Sequence, residues 1–325
     1  MSEDIKIIIP GKKKYKIIDL FSGSTNSFNQ TLEKIHDIII QVEGKQELLY
    51  RIENRQLTFF ITSKCNQRCI MCPQKLDIDS IHNDLIVQCV INNLDYSIID
   101  EVCFTGGEPL LKMNLIDSFI DKSPSNILIT ILTNGTIFPS STILNSSRVK
   151  LCVPLYSFYD ELHNRMTGSS AFYKVIHNLM EISQFNIPIE LRFVLTKQNI
   201  GLLEEYARFV WRNLPFVQDV AFMGMELTAE AKINKESLWI DPNQYISSLQ
   251  NAVAILNHYD ITAWIYNLPY CLFDEKYRKF LIQSISPWKI KYLPICDKCQ
   301  LRESCGGMFF SDVKDFEDII HNCIE

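Results

Sequence analysis

From residue 56 to residue 223 the chain alternates short apolar runs with amphipathic segments, and no other feature restricts its fold as much. The runs 56–61, 102–105, 127–132, 149–155, 187–195 and 220–223 have the length and apolar content of strands and are bounded by turn residues. Between them, 84–94 has apolar residues at 85, 86, 90, 91 and 94. Segment 171–185 has them at 172, 175, 176, 179, 180 and 182, the spacing of a helix with one buried face. Segments 115–120 and 202–214 fit helices as well. Six strands alternating with helical segments imply a parallel sheet with right-handed crossovers. The expected class is α/β, a partial (β/α)6 TIM-like barrel, with ligands at the C-terminal ends of its strands.

The flanking segments read differently. Residues 1–55 form a short β-rich element, with strands expected at 5–9, 15–20, 35–42 and 48–52 and a polar connection at 22–30. After about residue 234 the alternation is expected to stop. Asp241-Pro242 opens a helix running to about His258, with proline in its first turn, then a strand at 261–266 and a helix at 274–284. The expected organisation is therefore 1–55 as the β-rich element, 56–234 as the partial barrel and 235–325 as a small auxiliary metal-cluster region.

The metal expectation comes from cysteine spacing. Directly after the first strand stands Thr62-Ser63-Lys64-Cys65-Asn66-Gln67-Arg68-Cys69-Ile70-Met71-Cys72-Pro73, a C-x3-C-x2-C run. Three thiolates at turn-compatible separations suit three corners of a [4Fe–4S] cluster, leaving its fourth iron open. A zinc site would want a fourth ligand close by, and none stands there. The chain has 11 cysteines and a formal net charge of −6. It has no apolar run near the ~20 residues of a membrane span, and an acidic N-terminus unlike a signal peptide. These features point to the cytoplasm, where thiols stay reduced and cysteines serve metals or catalysis. They argue against a nucleic-acid-binding face and against a membrane. The one basic block, Lys12-Lys13-Lys14, reads as a solvated turn.

The cysteine run after strand one and Gly106-Gly107-Glu108-Pro109 after strand two, together with six βα units, resemble the radical S-adenosylmethionine (SAM) enzymes. The resemblance implies that the open iron chelates SAM, whose one-electron reductive cleavage gives a 5′-deoxyadenosyl radical. The cofactor performs the hard step while the protein binds, orients and excludes water. By the same resemblance Gly106 and Gly107 bring backbone to the ligand, and Glu108 faces the ammonium of SAM. Asn134 in Thr133-Asn134-Gly135, Ser157, Arg192 and Gly224 complete the cofactor bed at successive strand ends. No residue is assigned as catalytic on the substrate.

A second group, Cys296-x2-Cys299-x5-Cys305, resembles the SPASM or twitch extension of radical SAM enzymes that modify peptides. Phe309 stands where the complete SPASM run has another cysteine, so one auxiliary [4Fe–4S] cluster with one further ligand is expected. Cys271 is the first choice for that ligand and Cys323 the second, and a four-cysteine zinc site is the alternative. Cys89, Cys103 and Cys152 read as core residues, and His163 as a surface-loop position.

Stretches such as Pro154-Leu155-Tyr156-Ser157, Leu238-Trp239-Ile240-Asp241-Pro242 and Ser284-Ile285-Ser286-Pro287-Trp288-Lys289 look like the C-type maturase of the His-Xaa-Ser system. That likeness implies a ribosomally made peptide substrate with His-Xaa-Ser repeats, a second radical SAM partner protein and an electron donor. Two other readings remain open: a radical SAM enzyme for a small molecule or nucleoside, and a non-catalytic iron–sulfur partner subunit.

Overall fold

Ile5, Ile7 and Ile9 are buried while Lys6 and Ile8 between them are half-buried, a period of two that sets the first strand. A computed structural model describes residues 4–12, 14–28, 37–76 and 82–320. The chain divides into two units, one made of Met1–Asn66, Leu76–Leu151 and Glu181–Ile187, the other of Gln67–Lys75, Cys152–Met180 and Pro188–Glu325.

In the first unit, β1 (Ile5–Pro10), β2 (Tyr15–Asp19), β3 (Thr25–Phe28), β4 (Ile38–Val42) and β5 (Lys45–Tyr50) form an antiparallel sheet ordered β3-β2-β1-β4-β5. The β-rich N-terminal element is therefore present. β3 falls within the polar stretch expected to be a connection. It is an edge strand whose residues 25–27 are exposed, so no apolar alternation marks it. Lys12 and Lys14 are exposed at the β1–β2 turn, while Lys13 and residues 35–36 of the expected third strand lie outside the described residues.

β6 (Ile52–Glu53) turns into β7 (Gln56–Thr62) through Asn54 and Arg55, both at positive φ (48° and 63°). Two such residues in a two-residue loop match the twist of a hairpin. β7 then pairs in parallel with β8 (Glu101–Gly106), and β8 with β9 (Leu128–Leu132). Helix α1 (Asn83–Asn93) lies between β7 and β8 and α2 (Met113–Lys122) between β8 and β9, and the one-turn α3 (Ser141–Leu144) follows β9. Phe59, Phe104 and Phe119 close the core between sheet and helix, with ring centroids 5.4 and 5.3 Å apart. β10 (Val149–Pro154) begins in this unit and ends in the other.

The second unit carries α4 (Asp160–Thr167), most of α5 (Phe172–Ile182), β11 (Ile189–Val194), α6 (Leu203–Asn213) and β12 (Asp219–Met223). The short α7 (Ala229–Ile233) and α8 (Lys235–Leu238) precede α9 (Ile246–His258) and β13 (Thr262–Tyr266). β11 pairs in parallel with β12, β12 with β13, and β13 with β14 (Leu281–Ile282). The strand–helix alternation thus continues past residue 234, where it was expected to stop. The expected helix at 241–258 is interrupted at Tyr245, a buried residue at φ −129° between a 3₁₀ turn and α9. The expected helix at 274–284 shrinks to α10 (Glu275–Arg278), because the carbonyl of Phe280 accepts the Ile265 amide at 2.8 Å and draws the chain into β14. Parallel strands paired in chain order make this an α/β fold of the partial-barrel type. Among the described residues no helix is long and apolar enough to cross a membrane.

Candidate functional site

In the first unit the strand-two loop is bound to the segment that leads into Cys65. The Gly107 amide donates to the Thr62 carbonyl at 2.7 Å, and the Glu108 amide to the Lys64 carbonyl at 2.8 Å. Gly106 sits at φ +144°, and a Cβ there would lie 2.1 Å from the Thr62 oxygen; one on Gly107 would lie 2.2 Å from the Lys64 oxygen. The sequence reading gave both glycines to ligand approach. The structure shows that backbone already occupies the space a side chain would need.

Glu108 is fully buried. One oxygen accepts the Thr133 hydroxyl (2.7 Å) and the Leu110 amide (2.9 Å), and the other accepts the Asn134 amide (2.6 Å). Expected to face an ammonium group, its carboxylate is seen holding the ends of β8 and β9 together. Burial raises its pKa above the usual carboxylate range, and these three donors partly oppose the shift. An acid whose folded pKa is raised contributes stability below its unfolded pKa, and that contribution is lost as pH rises through the folded value. Glu108→Gln is predicted to lower stability by about 1–3 kcal/mol, because its amide would meet the Asn134 N–H donor to donor. It should also remove that part of the pH slope. Urea midpoints at pH 5 and pH 8 check both, and an unchanged midpoint and slope would refute the role.

Asn134 Nδ2 donates to Asn66 Oδ1 at 2.7 Å and approaches Cys65 Sγ at 3.8 Å. Asn66 in turn donates to Thr136 Oγ1 at 2.8 Å, and Thr136 donates to Asn134 Oδ1 at 2.7 Å. A side-chain N–H aimed at a thiolate stabilises its charge and, in iron–sulfur centres, tunes the potential. Asn66 and Thr136 were not singled out from the sequence, since only folding shows which polar loop residues interlock.

In the second unit Cys69 and Cys72 lie on a loop fixed by its backbone. The Arg68 and Ile70 amides donate to the Thr167 and Met166 carbonyls, both at 3.0 Å, using groups that the end of α4 leaves free. Gly168 closes that helix at φ +62°, and a Cβ there would lie 2.5 Å from the Arg68 oxygen. Asn234 Nδ2 donates to the Ile70 carbonyl at 2.9 Å, and Thr228 Oγ1 to that of Pro73 at 3.0 Å. Met71 packs with Tyr156, Met166 and Met225, and Cys69 and Val194 pack against the same cluster. The loop therefore rests on the ends of β10, β11 and β12.

Of the other expected bed residues, Ser157 is fully buried, and its oxygen accepts the Tyr159 amide at 2.9 Å ahead of α4. Arg192 pairs with the buried Glu190 at 2.8 Å on one face of β11. Gly224 follows β12, and its carbonyl accepts Asn267 Nδ2 at 3.0 Å. His163, expected on the surface, is 1% exposed. Its Nδ1 accepts the Tyr156 amide (3.3 Å), and burial lowers its pKa to about 4, so it is a neutral core residue. Cys152 is buried as expected, while Cys89 and Cys103 are half-buried.

The same unit brings Cys271, Cys296, Cys299 and Cys305 to the wall of one cavity, with Tyr270, Tyr292 and Arg302. Cys305 Sγ accepts the Tyr270 and Gly307 amides, each at 3.4 Å. Burial pushes the Cys271 thiol up to about 12, and the charges of Cys305, Cys296 and Cys299 push it the same way. Four thiols that repel one another as anions, in an apolar cavity with amide donors, fit a cationic metal group. Among the described residues no three His, Cys, Asp or Glu side chains stand close enough to hold a metal ion by themselves, so the thiols ring the cavity without closing on a point. Cys323 lies outside the described residues.

Residues 59–210, which include the first cysteine run and the Gly-Gly-Glu-Pro loop, match the family model of the Radical SAM superfamily. That stretch, just under half of the chain, is similar to the domain of this enzyme superfamily. The chain is 26% identical over 182 residues to an uncharacterized protein of Methanocaldococcus jannaschii, covering 52% of this chain and 59% of that one. It is 25% identical over 155 residues to GTP 3′,8-cyclase of Clostridium perfringens, covering 45% and 48%. The chain thus spans about half the length of these curated relatives. The fold is similar to Streptococcus suis SuiB bound to S-adenosylmethionine (TM-score 0.51, 13% identity, 82% of this chain and 72% of that one). It is similar also to anSMEcpe with bound AdoMet (TM-score 0.51, 16% identity, 64% and 60%).

Proposed function

We propose that the protein is a radical SAM enzyme that cleaves S-adenosylmethionine reductively at a [4Fe–4S] cluster and modifies a ribosomally made peptide. The match of residues 59–210 to the superfamily model carries the first part, because it spans Cys65, Cys69, Cys72 and the Gly106–Glu108 loop in family order. Those three thiolates would hold the cluster. When bound, cluster and SAM supply one-electron chemistry that ends in hydrogen-atom abstraction from the substrate. The chain's own residues hold the loops in place: Glu108 ties two strand ends, Asn134 directs an N–H toward Cys65, and the end of α4 holds the Cys69 segment.

The four-cysteine cavity supports the peptide part, together with the resemblance of Cys296-x2-Cys299-x5-Cys305 to the extension of peptide-modifying members. In this reading the cavity holds an auxiliary [4Fe–4S] cluster, with Cys271 as its fourth ligand. The substrate is a His-Xaa-Ser repeat peptide, processed with a second radical SAM protein and an electron donor. A second reading, action on a nucleoside, is favoured by relatives that carry the name GTP 3′,8-cyclase.

Anaerobic reconstitution is predicted to load about eight irons per chain, as two four-iron clusters. Cys305→Ala should retain about four of them and still release 5′-deoxyadenosine from SAM under a strong reductant. Four irons with one zinc in the native protein would remove the auxiliary cluster and leave the SAM reading standing. Mass spectrometry after co-expression with a His-Xaa-Ser peptide, and incubation with GTP in parallel, separates the two substrate classes.

A further inference from the structure

The first unit holds a cavity lined by none of the cysteines and none of the expected cofactor residues. About 580 Å³ in volume, it lies where the β1–β2 turn meets the segment from the end of α1 to Ser97. That size falls within the roughly 300–1,000 Å³ of ligand sites. α1 returns antiparallel to the strands it joins, so its end and Ser97 stand at the N-terminal end of β8. The Gly106 loop stands at the other end of β8, about 20 Å along the strand. The cavity is therefore separate from the cofactor bed.

Close backbone packing fixes its floor. The Lys12 amide donates to Asp95 Oδ2 at 2.9 Å, and Asp95 Oδ1 accepts the Ser97 amide (3.1 Å) and hydroxyl (2.6 Å). A Cβ on Gly11 would lie 2.8 Å from the Lys14 carbonyl oxygen and 3.2 Å from Asp95 Oδ2, so the turn seats here because residue 11 has no side chain. Lys16 Nζ donates to the Asn93 carbonyl at 3.1 Å, a cation at a helix C-terminus. Burial alone would raise the Asp95 carboxyl, yet the Ser97 and Lys12 donors and the charge of Lys16 hold it below the usual carboxylate range. The one acid among the lining residues is thus an anion already held by three donors.

Positive charge is left over. Lys12, Lys14 and Lys16 line the cavity against that single carboxylate. Lys12 and Lys14 are exposed, and among the described residues neither ammonium has an acidic partner. Lys14 and Lys16 are two residues apart at the start of β2, so their side chains leave one face about 7 Å apart. Ser27 of the edge strand β3 pairs with Lys16 and extends that face. The basic block is a turn, as expected, and it also borders a cavity.

We propose that this cavity docks an acidic peptide segment, whose carboxylates pair with Lys12, Lys14 and Lys16. Resting on the reading of a peptide substrate, it gives that substrate an anchoring point at the strand ends away from the chemistry. Ammoniums about 7 Å apart match carboxylates on alternate residues of an extended chain, which recur at the same interval. A nucleic-acid strand fits less well. The lining has no arginine, and its one aromatic ring, Tyr96, packs edge-on against Phe119 with its hydroxyl on the Ile91 carbonyl. The net charge of −6 also opposes a long polyanion.

The test is fluorescence anisotropy of the full-length protein with labelled Gly-Glu-Ser-Glu-Ser-Glu-Gly, its neutral counterpart Gly-Gln-Ser-Gln-Ser-Gln-Gly, and a single-stranded oligothymidylate of the same charge as the first. At about 0.05 M salt the acidic peptide is expected to bind about tenfold more tightly than the neutral one, and the advantage should shrink at about 0.5 M. Lys12→Gln combined with Lys14→Gln should reduce it to the neutral level while leaving 5′-deoxyadenosine release unchanged. Lys14→Glu, which reverses one charge, should weaken the acidic peptide further than Lys14→Gln alone. Equal binding of the two peptides, an advantage that survives in the double variant, or tighter binding of the oligothymidylate would overturn the proposal. Mass spectrometry of a co-expressed peptide is scored separately. Peptide modification without acidic preference would sink this docking site alone, and acidic-peptide binding without any modified peptide would sink the peptide-modifying reading alone.

Discussion

Replacing Cys65, Cys69 and Cys72 together by alanine is expected to reduce 5′-deoxyadenosine release to the reductant-only background, a loss on the order of 10³-fold or more. Iron should fall by about four per chain while the C-terminal four are retained. The size of the effect follows from the division of labour. In the proposed reading the protein's groups position and shield, and the electron that breaks the sulfonium bond comes through iron that these thiolates would hold. Single substitutions should be almost as severe, since a three-thiolate corner with one ligand missing exposes a second iron. The check is chromatographic quantitation of 5′-deoxyadenosine against iron content under anaerobic conditions. Equal yields from native and triple-variant protein would end the catalytic reading.

The second large effect is expected from glycine. Gly106→Ala and Gly107→Ala place a methyl group 2.1 and 2.2 Å from backbone carbonyl oxygens, which no rotamer change relieves. Gly106 also holds φ +144°, a conformation that L side chains rarely adopt. Each change should cost about 3 kcal/mol or more, from overpacking and strain together. That is a large share of the ~5–15 kcal/mol that keeps a domain folded. The loss should be accompanied by poor cluster loading, because Gly107 and Glu108 donate to Thr62 and Lys64, which lead directly into Cys65. Denaturant midpoints and iron content measured on the same preparations test this. A variant with native midpoint and full iron would mean that the loops do not need their close approach.

These two sites were legible in the sequence to different degrees. The cysteine run declares itself, because metal ligands follow spacing rules that survive without knowledge of the fold. The Gly-Gly-Glu-Pro loop could be located at a strand end, but its physical role could not. Glycine beside a ligand and glycine beside another backbone look alike in one dimension. Glu108 shows the same limit, since a carboxylate that meets an ammonium and one that meets three protein donors leave no different trace in sequence. His163 was misplaced because one histidine in an amphipathic segment does not reveal which face it occupies. Beyond residue 234, β13 was legible as a strand at 261–266, whereas β14 was not, because two residues drawn into pairing by β13 leave no local pattern.

The amino-acid sequence by itself determined the α/β class, the strand ends that carry polar motifs, and the two cysteine groups. Each of these depends on period or spacing along one chain, which local chemistry imposes. Only the tertiary structure decided that Cys271 joins Cys296, Cys299 and Cys305 around one cavity, that Asn134 reaches Cys65, and that Asp312 is buried and accepts the Leu227 amide. Those facts depend on contacts between residues far apart in the chain. Burial and the loss of water then decide which polar groups must be paired.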